Sequence, residues 1–490
     1  MARHGSDPVG GVRRSNVRAD PLDTCLDRIL EFMDHSTAET QTDSFAPGGR
    51  RRHRRTKQNG SGLRRTVVLA LAVPVASAAL AGPSAFAAGN GTTATAGGAT
   101  GSADPADPSD RQMAANLDAR VLDQRLGPEV SGVVLDADSD STLWDHNGAT
   151  ALMPASNVKL ATSTAALTVL GPEHRFTTKV VYGDGTLTLV GGGDRTLSSA
   201  DLAELAKTAV AGLQRAGLTT VKVAVDDSLF PAPTLADGWN DGYYPDTVAP
   251  VRALVVDGRG VQDTSIDAGQ TFAKLLAEDG IAVDGDVTRG TARHTDVPVA
   301  RHRSAPLADI VKKMLKTSDN NIAETLLRMT ALGAGRPATF EGGTEVVRHV
   351  LSHRYGVSLD NFEIHDGSGL SRTDRVPAAT LAQILELVTE PRYAHTLSAL
   401  LDGLPVAGEA GSTLGPEYGR FDDPDSQCAV GKVQAKTGTL TGAIALSGLT
   451  RTDDGEWRVF SFVENGSTAA PNDIKDAMDG LAATVNGCWA

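Results

Sequence analysis

The sequence predicts an α/β (α+β) chain built on one antiparallel five-stranded sheet flanked by helices, with a helical subdomain and one small inserted α+β domain. Three observations predict it. Two strand-like segments lie near the start of the globular part and three near its end, so both ends can supply one sheet. Polar turn signals of the hairpin kind join neighbours within each group. Between the groups, residues 175–300 carry a strand–helix alternation of their own and read as a separable insertion.

Globular patterning begins at about Gln112. Residues 131–138 and 141–145 flank a polar turn and read as a hairpin. Pro154 and Ser156 open an apolar-periodic helix that Gly171-Pro172 stops. In the insertion, 176–189 reads as a hairpin around Gly183-Asp184-Gly185, 199–217 as a helix and 220–226 as a strand. A Pro/Gly-rich loop runs to Val251, then a helix over 268–279 and a strand over 281–288. Helices over 307–316 and 321–332 return to the first domain. The late strands are 432–438, 443–450 and 456–464, the last two joined by Asp453-Asp454-Gly455, and 471–485 is a closing helix. The expected division is 112–174 plus 301–490 for the main domain and 175–300 for the insertion.

The amino-terminal part reads as an address. Basic residues over 50–55 and Arg64-Arg65 precede an apolar run over 66–80 that contains Pro74, and small residues end in Ala85-Phe86-Ala87. That is the layout of a secretory signal peptide cleaved near Ala87, too short for a stable membrane span in the mature form. Residues 1–60 are long for a signal's charged region, and a start at Met33 is one explanation. Residues 88–111, rich in Gly, Thr, Ala, Ser, Asp and Pro, read as a flexible linker. The expected location is outside the cytoplasm, in the cell wall or secreted.

Charge narrows the function classes. The 490 residues carry 46 basic and 60 acidic side chains. The first 87 hold 13 basic and 8 acidic, so the remainder holds 33 against 52, a net of −19. A surface that acidic is repelled by nucleic-acid phosphate and by anionic lipid. Cys25 lies before the signal, which leaves Cys428 and Cys488. An even pair in an exported chain suggests one disulfide tying the last element back, with two free thiols as the alternative.

Three short motifs occur in order: Ser156-Asn157-Val158-Lys159, Ser318-Asp319-Asn320 and Lys436-Thr437-Gly438. Each is weak alone. In order, and in these contexts, they form the set shared by class A β-lactamases and penicillin-binding proteins. Ser156 opens a helix, where backbone N–H groups favour developing negative charge. Lys159 lies at i+3, on the same face. A serine hydroxyl needs a base to become nucleophilic, and a lysine serves once burial or a second cation lowers its pKa. Lys436 is the obvious second cation. Ser318 and Asn320 fall at a helix–helix junction that can aim both into a cleft. Lys436-Thr437-Gly438-Thr439 lies on a strand, where a glycine lets a substrate backbone approach. The N–H groups of Ser156 and Thr439 can form an oxyanion hole. The chain after residue 87 has no G-x-S-x-G, G-x-x-x-x-G-K-[ST] or H-E-x-x-H, and its histidines form no recognisable metal set. No cofactor is implied.

Beyond the trio, the chain contains Gly191-Gly192-Gly193-Asp194-Arg195-Thr196-Leu197, Ser304-Ala305-Pro306-Leu307 and Asp366-Gly367-Ser368-Gly369-Leu370-Ser371, then Leu404-Pro405-Val406-Ala407-Gly408 and Leu446-Ser447-Gly448-Leu449. With these, nearly everything after about residue 115 resembles the exported D-alanyl-D-alanine carboxypeptidases/endopeptidases, the class C low-molecular-mass penicillin-binding proteins. The resemblance implies a serine β-lactamase/DD-peptidase-like fold and an acyl-enzyme on Ser156, formed on the terminal D-Ala-D-Ala of peptidoglycan stem peptides. It implies Lys159 as base, Ser318 as proton relay and Asn320 on the substrate amide. Lys436, Thr437 and Thr439 would hold the terminal carboxylate, with Gly438 between them. β-Lactams would be inhibitors. In the loop of Trp239–Tyr244 the family builds a side-chain pocket, for which Asp241, Tyr244 and Arg372 are the candidates; an aromatic-anchored loop explains the same residues. Longer members carry two nested domains between the first two motifs. Here only 162 positions separate Ser156 from Ser318, so the innermost one is expected to be absent.

Two rivals remain at this stage. A serine β-lactamase shares the acylation but needs fast deacylation, and the E-x-x-L-N of class A members does not occur. A catalytically idle wall-binding homologue would have a broken trio, and all three motifs are intact.

Overall fold

The computed structural model describes residues 107–139, 141–452 and 455–489. The expected signal peptide, its cleavage site and most of the linker lie outside the described residues, as do Asp453 and Asp454 of the late hairpin turn. The linker ends sooner than 111. Helix α1 spans Pro108–Arg120, with Pro108 at its first position and the Asp107 carboxylate accepting from the Ser109 N–H. A proline there has no N–H to leave unsatisfied, so a residue that reads as linker opens a helix instead.

The main sheet joins both ends of the described chain. Strands β1 (Glu129–Asp136) and β2 (Ser141–His146) come early, followed by the two-residue β3 (Ala151–Leu152) and helix α2 (Val158–Leu170). After an insertion the chain returns through α5 (Leu307–Thr317), α6 (Asn320–Gly333), α7 (Phe340–His349), β10 (Val376–Pro377), α8 (Ala378–Glu386) and α9 (Ala394–Gly403). It ends with β11 (Gln434–Leu440), β12 (Ala443–Arg451), β13 (Trp457–Asn465) and α10 (Pro471–Val485). The strand order is β11-β12-β13-β1-β2, antiparallel throughout.

Alternation along the strands sends side chains to two cores. Phe460 and Phe462 of β13 join Met113 and Leu117 of α1 and Met478 and Leu481 of α10 on one face. Val459 and Val463 face the other way, into the core with α2, α5, α6, α8 and α9. Burying each phenylalanine contributes roughly 1.5–3 kcal/mol. Helix α2 runs through this second core and is buried from Val158 to Val169. Its threonine hydroxyls are satisfied: Thr162 donates to Gly367 O, and Thr164 and Thr168 donate to carbonyls one turn back.

The insertion is a six-stranded mixed sheet with two helices. It contains β4 (Thr177–Gly183), β5 (Thr186–Val190), α3 (Ser199–Arg215), β6 (Thr220–Asp226), α4 (Thr264–Glu278), β7 (Ala282–Val283), β8 (Thr288–Arg289) and β9 (Val297–Arg303). Asp184 and Gly185 both take positive φ, the geometry a two-residue hairpin demands. Three expectations need correction. Helix α4 starts four residues before 268, because the Asp263 carboxylate caps it by accepting from the Ile266 N–H. The single strand over 281–288 is two short ones, broken where Gly285 adopts φ +78°. The sheet also continues past 300, since β9 pairs with β4 and closes the insertion at Arg303. The disulfide joins Cys428 to Cys488, with Cα atoms 6.1 Å apart, and ties the residues after α10 to the segment before β11. No helix among the described residues is long and apolar enough to cross a membrane.

Candidate active site

The three motifs meet at one cavity of about 410 Å3, where Ser156, Ser318, Asn320, Thr437 and Thr439 all line the wall. Ser156 sits in a tight 3-10 turn, Ala155–Asn157, that leads directly into α2. Ala155 is held at φ +48°, uncommon for a residue with a Cβ. Gly369 packs directly against it: a Cβ there would fall 1.9 Å from the Ala155 carbonyl oxygen. The serine turn and the 366–371 loop are therefore in direct backbone contact.

Lys159, one turn into the helix, is fully buried. Its Nζ donates to Ser156 Oγ (3.0 Å), Asn320 Oδ1 (2.8 Å) and Ser368 O (2.7 Å). Ser318 occupies the left-handed region (φ 56°) between α5 and α6, and its Oγ accepts from Lys436 Nζ at 2.9 Å. Asp319 then caps α6 by accepting from the Ile322 N–H, which sets Asn320 as its first residue. The second end of the Asn320 amide donates to Thr247 O at 3.1 Å.

Lys436 and Gly438 lie on β11, and Lys436 Nζ also donates to Thr437 O (2.7 Å). Gly438 does not line the cavity. Its missing side chain instead admits the protein's own chain, since a Cβ would sit 2.7 Å from both Pro154 O and the Asn157 amide. Asn157, unremarked inside the first motif, joins the two elements. In the orientation that matches donors to acceptors its amide donates to Lys436 O (3.3 Å) and Ser447 Oγ (2.8 Å) and accepts from the Gly438 N–H (3.2 Å). Sequence inspection offers no signal for this, because the motif leaves the position open.

Burial is the main force on both lysines. It pulls Lys159 down to about 8, against the nearby carboxylates of Asp366, Glu324 and Asp319, which favour its charged form. Lys436 lies well below the ordinary lysine range, first through burial and then through Lys159 and Arg420. For Lys159, then, of the two causes the sequence offered, burial and a second cation, burial is the one that leads.

The acids facing Lys159 were not anticipated. Glu324 is buried, and its carboxylate accepts from the N–H groups of Gly367 (3.1 Å) and Ser368 (2.8 Å). Asp366 accepts from Trp239 Nε1, Gly369 N and Ser371 N, each at 2.7 Å. Two carboxylates thus anchor the loop that presents Ser368 O to Lys159. Desolvation, with Asp366 next, raises Glu324 to about 8, and the same causes raise the adjacent Asp374 well above its usual range. A signal for Glu324 existed: it lies four residues after Asn320 on α6 and so shares its face.

Asp241, Tyr244 and Arg372 are not among the residues lining this cavity. Tyr244 donates its hydroxyl to Thr234 O and packs edge-on against Trp239, the anchored-loop arrangement. Arg372 donates to Thr441 O, and Asp241 opens an exposed 3-10 turn. Among the described residues, one trio of carboxylates, Asp422, Asp423 and Asp476, is close enough to share a cation. None of the three lines the cavity.

Comparison with known proteins is consistent with this geometry. The chain matches the D-Ala-D-Ala carboxypeptidase 3 (S13) family over residues 113–260 and 258–485. It is 32% identical over 413 residues to carboxypeptidase DacB of Mycolicibacterium smegmatis, covering 78% of this chain and 85% of that one. To a D-alanyl-D-alanine carboxypeptidase of Actinomadura sp. it is 30% identical, covering 75% and 84%. Penicillin binding protein 4 of Haemophilus influenzae has the same fold (TM-score 0.64, 24% identity, 76% of this chain and 98% of that one). Its complex with a β-lactam superposes with a TM-score of 0.58 at 25% identity, over the same shares of each chain.

Proposed function

The chain belongs to the D-Ala-D-Ala carboxypeptidase 3 (S13) family, and from that premise we propose how its residues carry the reaction. It is a serine-type D-Ala-D-Ala carboxypeptidase/endopeptidase of the penicillin-binding kind. Ser156 Oγ attacks the carbonyl carbon of the penultimate D-alanine of a peptidoglycan stem, and neutral Lys159, 3.0 Å away, takes the hydroxyl proton. The N–H groups of Ser156 and Thr439 hold the oxyanion. When the C–N bond breaks, Ser318, held by the Lys436 hydrogen bond, gives its hydroxyl proton to the departing amine and recovers one from protonated Lys159, which is left neutral for the next step. Water then adds to the ester and gives its proton to Lys159, and the second collapse returns a proton to Ser156.

Asn320 spends one N–H on Thr247 O and retains the other for the substrate amide carbonyl. Lys436, Thr437 and Thr439 receive the terminal carboxylate. A β-lactam enters as a cyclic analogue whose acyl-enzyme persists and so inhibits. The amino-terminal signal pattern supports a location outside the cytoplasm for this chemistry, after cleavage near Ala87. The observation that carries the reading is the pairing of Lys159 with Ser156 and of Lys436 with Ser318 on the wall of one cavity.

Intact mass after exposure to benzylpenicillin tests it. A persistent one-penicillin adduct on the parent chain, absent from Ser156→Ala, is expected. Penicillin consumed without an adduct would instead mark a β-lactamase, and penicillin left intact by a folded sample a non-catalytic homologue.

A further inference from the structure

The cavity continues past the groups that acylation uses. Tyr418, Arg420 and Lys475 line it together with Ser156 and Thr437. Arg420 is 4% exposed. Its Nε and Nη2 are held by Asp479, while Nη1 has no hydrogen-bond partner among the described residues. Lys475, on α10, is half-buried and makes one long contact, 3.4 Å to Asn472 Oδ1. Asp479 neutralises Arg420, and Asp476 is the other acid bearing on Lys475.

These cations are close enough to repel one another in turn. Lys436 feels both Lys159 and Arg420, and Lys475 feels Arg420. A terminal D-alanine offers one carboxylate, which Lys436, Thr437 and Thr439 suffice to hold. An arginine N–H and an ammonium kept partly out of water beyond that point are costly unless an anion meets them.

Resting on the carboxypeptidase/endopeptidase reading above, we propose that Arg420 and Lys475 form a leaving-group subsite for a second anionic group on the departing residue. The site then favours stems whose D-alanine is joined to a dicarboxylic residue, beyond those that end in plain D-alanine. Arg420, fixed by Asp479, supplies direction, and Lys475 supplies the mobile charge.

The test uses the full chain and three N-acylated peptides ending in D-Ala-D-Ala, D-Ala-D-Glu and D-Ala-D-Gln. The D-Glu and D-Gln peptides differ in charge and hardly in shape. The expected kcat/KM ratio of D-Glu to D-Gln is about tenfold, the scale of one charge-assisted hydrogen bond. Lys475→Met should bring that ratio close to one, and Lys475→Arg should keep most of it. A parent ratio at or below one, or a ratio that Lys475→Met leaves unchanged, overturns the subsite. Failure to cleave any of the three peptides, with no penicillin adduct, would instead overturn the functional reading on which it rests.

Discussion

Gly369→Ala separates backbone contact from backbone strain at the nucleophile. The added Cβ would sit 1.9 Å from Ala155 O, 2.5 Å from Ala155 C and 3.2 Å from Ser156 N. All three are main-chain atoms, so no side chain can swing aside. Restoring an ordinary contact requires the 366–371 loop and the serine turn to part by about 1.5 Å. The same loop presents Ser368 O to Lys159 at 2.7 Å, so that separation breaks the hydrogen bond or drags the lysine from Ser156. A misplacement of about 1 Å costs on the order of 100-fold in rate. We therefore expect penicillin acylation, followed by intact mass against time, to slow about 100-fold. Gly369 also adopts φ +80°, so alanine adds strain of about 1–2 kcal/mol. Gly217→Ala controls for that term: its φ is +72° and nothing lies within 4 Å of the new Cβ. It should lose a comparable amount of thermal stability and acylate at the parent rate. Acylation by folded Gly369→Ala within threefold of the parent would refute the contact argument.

Two further outcomes follow from the site's charges and the cross-link. Lys159 can accept a proton only when neutral, so acylation should rise with pH through about 8; Glu324→Gln removes a carboxylate that favours the charged lysine. The rise should move to lower pH by about half a unit or more, read from acylation rates across pH 6–10, and an unmoved or raised midpoint contradicts the assignment. Cys488→Ser opens a cross-link between residues 60 apart, which should lower unfolding stability by about 4 kcal/mol; an unchanged denaturation midpoint would show that the bridge contributes nothing.

What could be read from sequence depended on whether the signal was local. The closing helix and β6 were legible to the residue: Pro471 marks a helix start, and alternation over 220–226 bounds a half-buried strand. Strand β9 was not, because it is the sheet's edge, carries Pro298 and leaves most of its side chains in water. Edge strands tolerate proline and need no apolar alternation, so the usual strand signals vanish there. In the site, Ser156 and Lys159 share a helical turn and could be paired by spacing alone. Uniting them with Ser318 and Lys436 rested on resemblance, since 162 and 280 positions separate those residues from Ser156. The partners of the buried carboxylates were illegible for the same reason. Nothing near Glu324 in sequence says that Gly367 and Ser368 will donate to it.

The distribution of those carboxylates explains why the site has room for an anion. Lys159 is backed by Asp366, Glu324 and Asp319, and Arg420 by Asp479. Lys436 has no such partner among the described residues. Its Nζ donates only to Ser318 Oγ and Thr437 O, and the charges that bear on it, Lys159 and Arg420, are both cations. A buried ammonium in that position gives up its proton readily: burial first, then repulsion by Lys159 and Arg420, lowers its pKa. The fold compensates the cations on either side of Lys436 from behind and leaves this one uncompensated, next to Thr437 on the cavity wall. On the proposed mechanism a substrate carboxylate is the missing counter-charge, and its arrival favours the protonated Lys436, whose hydrogen bond holds Ser318 in place as the amine departs.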